Sequence, residues 1–286
     1  MPELPEVQTI VSDLKNKILN KKIIKVDIFL KKIIKNKTSI FCNELVDGRI
    51  VDIQRKGKLI IMKLSTGKYL LIHLRMTGQL ILQAKNKLLA AGGHSQNSLL
   101  VNLPNKYTHV IVRFKDFSLF YNDLRRFGFL QIVDIKKKEE LLSKMGMDAM
   151  DVDFDLEYFE KIIKNKKNNI KQFLLNQKYI SGLGNIYVDE ILFASGVNPS
   201  RTMDKIKKEE IILIFKNIKK ILSQAIKYRG TTFNNYRDAE GRRGDFVSRL
   251  RVYGRERKKC FICGDIIKKS RVAQRGTSYC PTCQRV

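Results

Sequence analysis

The chain has 286 residues, enough for one or two domains with a buried core, and its 43% hydrophobic and 29% charged residues exclude a disordered polypeptide. No stretch approaches the roughly 18 consecutive apolar residues of a membrane span, and the acidic, proline-containing start is unlike a signal peptide, so a cytoplasmic location is expected. Lys and Arg total 56 against 28 acids, a formal net charge of +28, which favours a polyanion partner, nucleic acid ahead of ribosome or membrane surface.

Along the chain, residues 5–18 place Val7, Ile10, Val11, Leu14 and Ile18 on one helical face, with Pro5 suited to a first turn. From about 22 to 135 the pattern changes to short β-branched runs at 22–30, 50–54, 59–64, 69–74, 80–83, 109–114, 119–121 and 129–133. Many short strands at close spacing predict a sandwich or barrel. Residues 84–106, with Gly92-Gly93 and polar neighbours, read as a long loop. Beyond about 136, helical spacing predicts helices over 156–177, 185–195 and 207–228, the last closing on Gly230. Residues 231–250, polar and rich in Arg and Gly, read as a flexible connection. The expected organisation is a β-rich domain over 1–135, a linker over 136–150, a helical domain over 151–250 and a small metal-bound tail over 251–286.

Four of the five cysteines crowd into the last 27 residues as Cys260-Phe261-Ile262-Cys263, then 16 residues, then Cys280-Pro281-Thr282-Cys283. A cytosolic chain seldom keeps structural disulfides, and two matched thiolate pairs at this spacing close a tetrahedral zinc site. Four protein ligands leave no open position, so one structural zinc is expected, holding Lys268, Lys269, Arg271 and Arg275 toward a phosphate chain. Cys42 stands alone and reads as a small packed side chain.

At the other end, proline at position 2 is small enough for the initiator methionine to be removed, which leaves a secondary amine as the first atom of the chain. An α-amine has a pKa near ~8 against ~10.4 for lysine, so much more of it is uncharged and nucleophilic at neutral pH. Glu3 and Glu6 stand close enough in sequence to handle protons. Pro5 with two acids equally describes an ordinary helix start, acids being favourable at its positive end. Gly182-Leu183-Gly184-Asn185 before a helical run is a further candidate, as helix N-termini bind phosphate through free amides, although glycine-rich turns are common.

Together these pieces resemble the formamidopyrimidine-DNA glycosylase family over nearly the whole chain. The resemblance is carried by Met1-Pro2-Glu3-Leu4-Pro5-Glu6-Val7, Gln54-Arg55-Lys56-Gly57-Lys58, His73-Leu74-Arg75-Met76-Thr77-Gly78 and Tyr121-Asn122-Asp123-Leu124-Arg125-Arg126-Phe127-Gly128. It continues through Gly184-Asn185-Ile186-Tyr187, Val252-Tyr253-Gly254-Arg255 and Gln274-Arg275-Gly276-Thr277. It implies an α+β protein: an N-terminal β-sandwich with an N-terminal helix, a helical helix–two-turns–helix domain and a C-terminal four-cysteine zinc finger. It also implies DNA bound across a cleft between the two halves. The implied activity is that of a bifunctional glycosylase and abasic-site lyase excising oxidised purines from double-stranded DNA, as a monomer, located on the nucleoid while searching.

The resemblance also implies roles. Pro2 would attack the sugar, Glu3 would act as the acid that opens it, Lys58 would act in β-elimination, and Arg275 would hold the lesion phosphate and assist δ-elimination, with Glu6 in support. Asn185 and Lys166 would contact phosphates. Met76, Arg125 and Phe127 would fill the gap left by a flipped base, which is otherwise unreachable in a stacked duplex. Read without the family, Met76 and Phe127 would be core residues, and Arg125, Lys58 and Lys166 solvated charges. Two positions depart from the family pattern: Leu124 stands where proline is common, and Tyr107 where a DNA-contacting histidine is often found. Two rivals share some of these features: an endonuclease VIII-like enzyme for oxidised pyrimidines, and a non-catalytic zinc-finger DNA-binding protein.

Overall fold

The computed structural model describes residues 2–85, 87–93, 102–231 and 245–285. They divide into two compact units, residues 1–143 with 228–245, and residues 144–227 with 246–286.

The first unit opens with α1 (Leu4–Ile18), whose apolar positions are all buried. Next come β1 (Lys25–Ile28) and α2 (Thr38–Leu45), then β2 (Ile50–Lys56), β3 (Leu59–Leu64), β4 (Tyr69–His73) and β5 (Gly78–Ala84). β6 (Lys87–Gly93), β7 (Thr108–Arg113), β8 (Ser118–Asp123), β9 (Phe129–Val133) and α3 (Ile135–Ser143) follow. The strands form a five-stranded sheet ordered β1-β7-β8-β5-β6 and a four-stranded sheet ordered β2-β3-β4-β9. All pairs within them are antiparallel. Ile53, Ile60, Met62, Leu70 and Ile72 of one sheet share a core with Leu80, Leu82, Val110, Val112 and Leu119 of the other and with the buried face of α1. This is the expected β-sandwich.

Two local expectations, the loop over 84–106 and the linker over 136–150, fail for identifiable reasons, and the helix α2 stands where the sequence reading named no element. Part of the expected loop over 84–106 is the strand β6, paired with β5 from Gln79↔Gly93 to Ala84↔Lys87, while 86 and 94–101 lie outside the described residues. Its glycines are packing residues: a Cβ on Gly92 would stand 2.0 Å from Ile10 Cγ1 of α1. α2 is short, and Phe41 and Leu45, one helical turn apart, are its buried face; Cys42 beside them is half-buried. Residues 135–143 are helical because Leu141 and Leu142 pack against Leu59, Ile61, Leu71 and Val133 on the outer face of the four-stranded sheet.

In the second unit, β10 (Met147–Asp148) pairs in parallel with β11 (Ile180–Ser181) around α4 (Leu156–Ile163) and α5 (Ile170–Leu175). The single helix expected over 156–177 is broken between them. Asn165 adopts a left-handed backbone (φ 64°), and the Asn169 side chain accepts from the Gln172 amide to cap α5. Asparagine tolerates both conformations, so the Asn-rich stretch interrupts the helix. α6 (Asn185–Ala194) and α7 (Lys208–Lys227) match expectation. α6 is buried from Ile186 to Phe193, charged residues included. Of the expected flexible connection over 231–250, Phe246–Arg249 forms a 3-10 turn, and 232–244 lie outside the described residues. β12 (Lys268–Val272) and β13 (Arg275–Tyr279) form the hairpin between the two cysteine pairs.

Gly92→Ala should destabilise the protein by about 1–3 kcal/mol through overpacking. In an Ile10→Ala background the same change should be nearly neutral; urea midpoints of the four variants check the coupling.

Candidate active site and metal centre

Pro2 and Glu3 are buried at the head of α1, Glu3 at 2% exposure and Glu6 at 6%. Glu3 is the N-cap, and its amide donates to Glu6 Oε2 at 2.8 Å, so the two acids form a capping box. Glu6 Oε1 accepts from the Thr231 amide (2.7 Å) and hydroxyl (3.1 Å). Gly230 (φ 80°) is needed there, since a Cβ would stand 2.4 Å from Glu6 Oε1. Arg229 reaches Asp13 Oδ2 at 2.5 Å, a second tie between this segment and α1. Glu6 is therefore fully engaged in holding the N-terminus.

Lys58 follows Gly57 (φ 57°) at the tip of the β2–β3 hairpin, where a lysine would ordinarily reach solvent; it is only 7% exposed. It lies close enough to His73 to disfavour that ring's protonation. Burial first, then the Arg75 and Lys58 charges, holds the His73 pKa down to about 3. His73 is thus neutral at physiological pH, with Nδ1 accepting from the Arg75 amide at 3.1 Å.

Met76, Arg125 and Phe127 come together at the surface. Arg125 Nη1 lies 3.1 Å from Met76 Sδ, and its guanidinium stands 4.7 Å from the Phe127 ring centroid. Met76 is 39% and Phe127 54% exposed, so neither is a core residue. Beneath them Asp123, fully buried, accepts from Thr77 Oγ1, the Arg125 amide and the Gly128 amide. Tyr107 is half-buried beside this group, its carbonyl accepting from the Asp123 amide at 3.0 Å.

In the second unit the sulfurs of Cys260, Cys263, Cys280 and Cys283 all lie within 4.8 Å of one another. The Cys260–Cys283 and Cys263–Cys280 separations are 3.9 and 3.4 Å. Four thiolates about 2.3 Å from one zinc stand roughly 3.8 Å apart, so the cluster fits one structural zinc with no open position. Without a metal, burial opposes ionisation of Cys260, yet the Cys263 and Ile262 amides hold its thiol down to about 7. Burial pushes Cys280 and Cys283 up, so it is a bound cation that would keep all four as thiolates.

The hairpin between these pairs turns at Ala273 and Gln274, both left-handed (φ 50° and 59°), and presents Arg275 exposed at the start of β13. Asn185, the first residue of α6, donates from Nδ2 to the Gly276 carbonyl at 2.9 Å. Lys171 of α5, fully buried, donates to Asp189 Oδ1 (2.6 Å), Thr277 Oγ1 (2.8 Å) and the Gly276 carbonyl (3.1 Å). Asp189 Oδ2 accepts from the Ser278 amide at 2.9 Å. The backbone after Arg275 is thus fastened to both helices. Lys166 is not among these residues; its ammonium packs over the Tyr179 ring at 4.7 Å. Glu190 accepts from the successive amides of Arg251, Val252 and Tyr253 at 2.8–2.9 Å, which accounts for the 252–255 motif.

Residues 1–130 match the formamidopyrimidine-DNA glycosylase N-terminal domain, 145–236 its H2TH domain, and 257–286 the zinc finger found in FPG and IleRS. The chain belongs to the formamidopyrimidine-DNA glycosylase family. Relatives of that name include the proteins of Carboxydothermus hydrogenoformans, 38% identical with all of both chains covered, and Ureaplasma parvum, 39% identical over 99% of this chain and 100% of the other. Solved structures agree. The complex between the Lactococcus lactis Fpg and an abasic site containing DNA superposes with a TM-score of 0.88 at 32% identity, all of both chains being covered. The complex of the same protein with an N7-benzyl-Fapy-dG containing DNA gives 0.87, also at 32% identity with all of both chains covered. The H2TH match over 145–236 spans α4, α5, α6 and α7. Among the described residues, no helix is long and apolar enough to cross a membrane.

Two measurements test this geometry. Because the folded His73 pKa lies below the unfolded value, its contribution to stability is complete above about pH 6.5 and declines as pH falls toward 3. His73→Asn should therefore lose less stability than the parent between pH 7 and pH 5, read from urea midpoints. Cys263→Ser should copurify with less than a tenth of the parent's zinc and become protease-sensitive in the 258–285 tail; a full equivalent of zinc would contradict the four-thiolate site.

Proposed function

We propose that this protein is a bifunctional DNA glycosylase and abasic-site lyase for oxidised purines, acting as a monomer on duplex DNA. The observation that carries the reading is the buried Pro2–Glu3–Glu6 set at the head of α1 in a chain that matches this family from end to end. Relatives' names refer to formamidopyrimidine, and neighbouring structures hold Fapy-dG and abasic DNA, which supports damaged DNA as substrate.

In this reading the secondary amine of Pro2, freed by methionine removal, attacks the anomeric carbon of the damaged nucleotide. The base departs with its bonding electrons and a proton. Glu3 supplies a proton to the sugar ring oxygen as the ring opens, leaving an iminium on Pro2. The iminium withdraws electrons and acidifies the adjacent sugar C–H. Loss of that proton expels the 3′ phosphate, and a second elimination expels the 5′ phosphate. Lys58, buried beside neutral His73, assists the first elimination, and Arg275 holds the lesion phosphate through the second. Glu6 keeps Pro2 in place, while Asn185 and Lys166 contact the strand. The target base must leave the stack, and Met76, Arg125 and Phe127 occupy the gap, with Tyr107 as a neighbouring contact. The excess of 28 positive charges supplies the salt-sensitive attraction that lets the protein search nucleoid DNA.

Borohydride should trap a protein–DNA adduct on an 8-oxoguanine:cytosine duplex, and peptide mapping should place it on Pro2. Retaining Met1 should abolish trapping. Glu3→Gln should reduce base excision by at least 100-fold while leaving measurable cutting of a preformed abasic site. Better trapping on oxidised thymine would point to the pyrimidine-directed relatives, and trapping on neither to a binding module.

A further inference from the structure

Asp123 ends β8 with 0% exposure, and its carboxylate collects four donors from two different surface turns and its own strand. Oδ1 accepts from Thr77 Oγ1 at 2.5 Å and from the Arg125 amide at 3.2 Å. Oδ2 accepts from the Gly128 amide at 2.8 Å and from the Tyr121 hydroxyl at 3.4 Å. Thr77 Oγ1 also accepts from the Arg125 amide at 2.9 Å, so a hydroxyl and a carboxylate share that donor. The Asp123 main chain is held as firmly, its carbonyl 2.8 Å from His109 Nε2 and its amide donating to the Tyr107 carbonyl.

Both turns need such an anchor. The 74–78 turn contains Arg75 at φ 51°, and the 124–128 turn contains Arg126 at φ 58°, conformations that L residues adopt only where their surroundings impose them. Leu124 at the start of the second turn does not fix its own φ as a proline would. Gly128 at its end cannot be replaced, since a Cβ would lie 1.9 Å from the Tyr121 hydroxyl. The exposed side chains these turns carry, Met76 on one and Arg125 and Phe127 on the other, touch each other but have no core to lock them. Their placement therefore comes from the backbone, and the backbone is pinned at Asp123.

We propose that Asp123 is the positioning residue that pre-forms the wedge of Met76, Arg125 and Phe127, so that the wedge is already ordered when a base is extruded. The proposal rests on the reading of this trio as the side chains that fill the gap. Pre-ordering removes an entropic cost from the extrusion step, while leaving the chemistry at Pro2 untouched.

The test compares a substrate that needs the wedge with one that does not. Asp123→Asn keeps the shape but turns one acceptor into a donor, which then faces either the Arg125 amide and Thr77 hydroxyl or the Gly128 amide and Tyr121 hydroxyl. It should slow single-turnover excision from an 8-oxoguanine:cytosine duplex at least tenfold. Borohydride trapping on a single-stranded abasic oligonucleotide, which has no stacked base to extrude, should stay within twofold of the parent. Met76→Ala should slow the parent but add less than twofold in the Asp123→Asn background, and amide exchange at 125–128 should rise. Thr77→Val, which cuts one link between the turns, should give the same selective loss at about threefold even if Asp123→Asn fails to fold. Excision at the parental rate, equal losses on both substrates, or multiplicative losses with Met76→Ala would overturn the proposal. A parent protein that neither excises nor traps would instead refute the proposed enzyme activity, with the exchange data still reporting whether Asp123 orders the turns.

Discussion

Taking a carboxylate out of water is tolerated only where donors surround it, and this protein does so at Glu6, Asp123, Asp189 and Glu190. Each of these four acids gathers donors from a segment in or beside one of the sequence motifs. Glu6 gathers the Glu3 amide and Thr231; Asp123 gathers the 74–78 and 124–128 turns; Asp189, with Lys171, gathers the backbone after Arg275; Glu190 gathers the amides of 251–253. The apolar cores build the scaffold, and these acids set the loops upon it. Removing one partner of such a group leaves the other stranded, so the arrangement is specific and is not simply a source of stability.

Much of this was legible in the sequence, and the unreadable parts share a cause. Periodicity found α1, α6 and α7 because each has a sustained pattern or clear stops, and the two cysteine pairs required a metal site from spacing alone. β6 was hidden because Gly92 and Gly93 signal a turn locally, whereas here Gly92 admits Ile10 of α1 and Gly93 lies against the backbone of β5, contacts made with residues far away in sequence. The break between α4 and α5 was visible in principle, since Asn165 and Asn169 are residues that leave or cap a helix. α3 was concealed by its lysines, which dilute the two leucines that matter.

The site divides along the same line. Pro2, Glu3, Arg125 and the cysteines were singled out because motifs carry them, yet Asp123, Lys171 and Asp189 were not, since a charged residue in a motif gives no sign of whether it faces the surface or the interior. α6 did hold a clue: with Ile186, Val188, Ile191 and Leu192 covering its faces, Asp189 and Glu190 had little solvent left to occupy. Lys171 shows the same limit, because counting through a run of lysines and asparagines cannot say which lysine a fold draws inward. The structure draws in Lys171.

Charge has two separate uses here. The exposed lysines and arginines on the zinc-bound hairpin and elsewhere act at long range and are weakened by salt, so they serve attraction and say little about where the chain stops on DNA. A surface cluster of fixed geometry requires side chains whose places are set beforehand, and an exposed methionine and phenylalanine cannot fix themselves. Their exposure is unfavourable in the free protein, offset in part by Arg125 lying against both. Such a surface persists only when the backbone beneath it has no lower-energy way to fold the two rims inward, and the donors converging on buried Asp123 close that route.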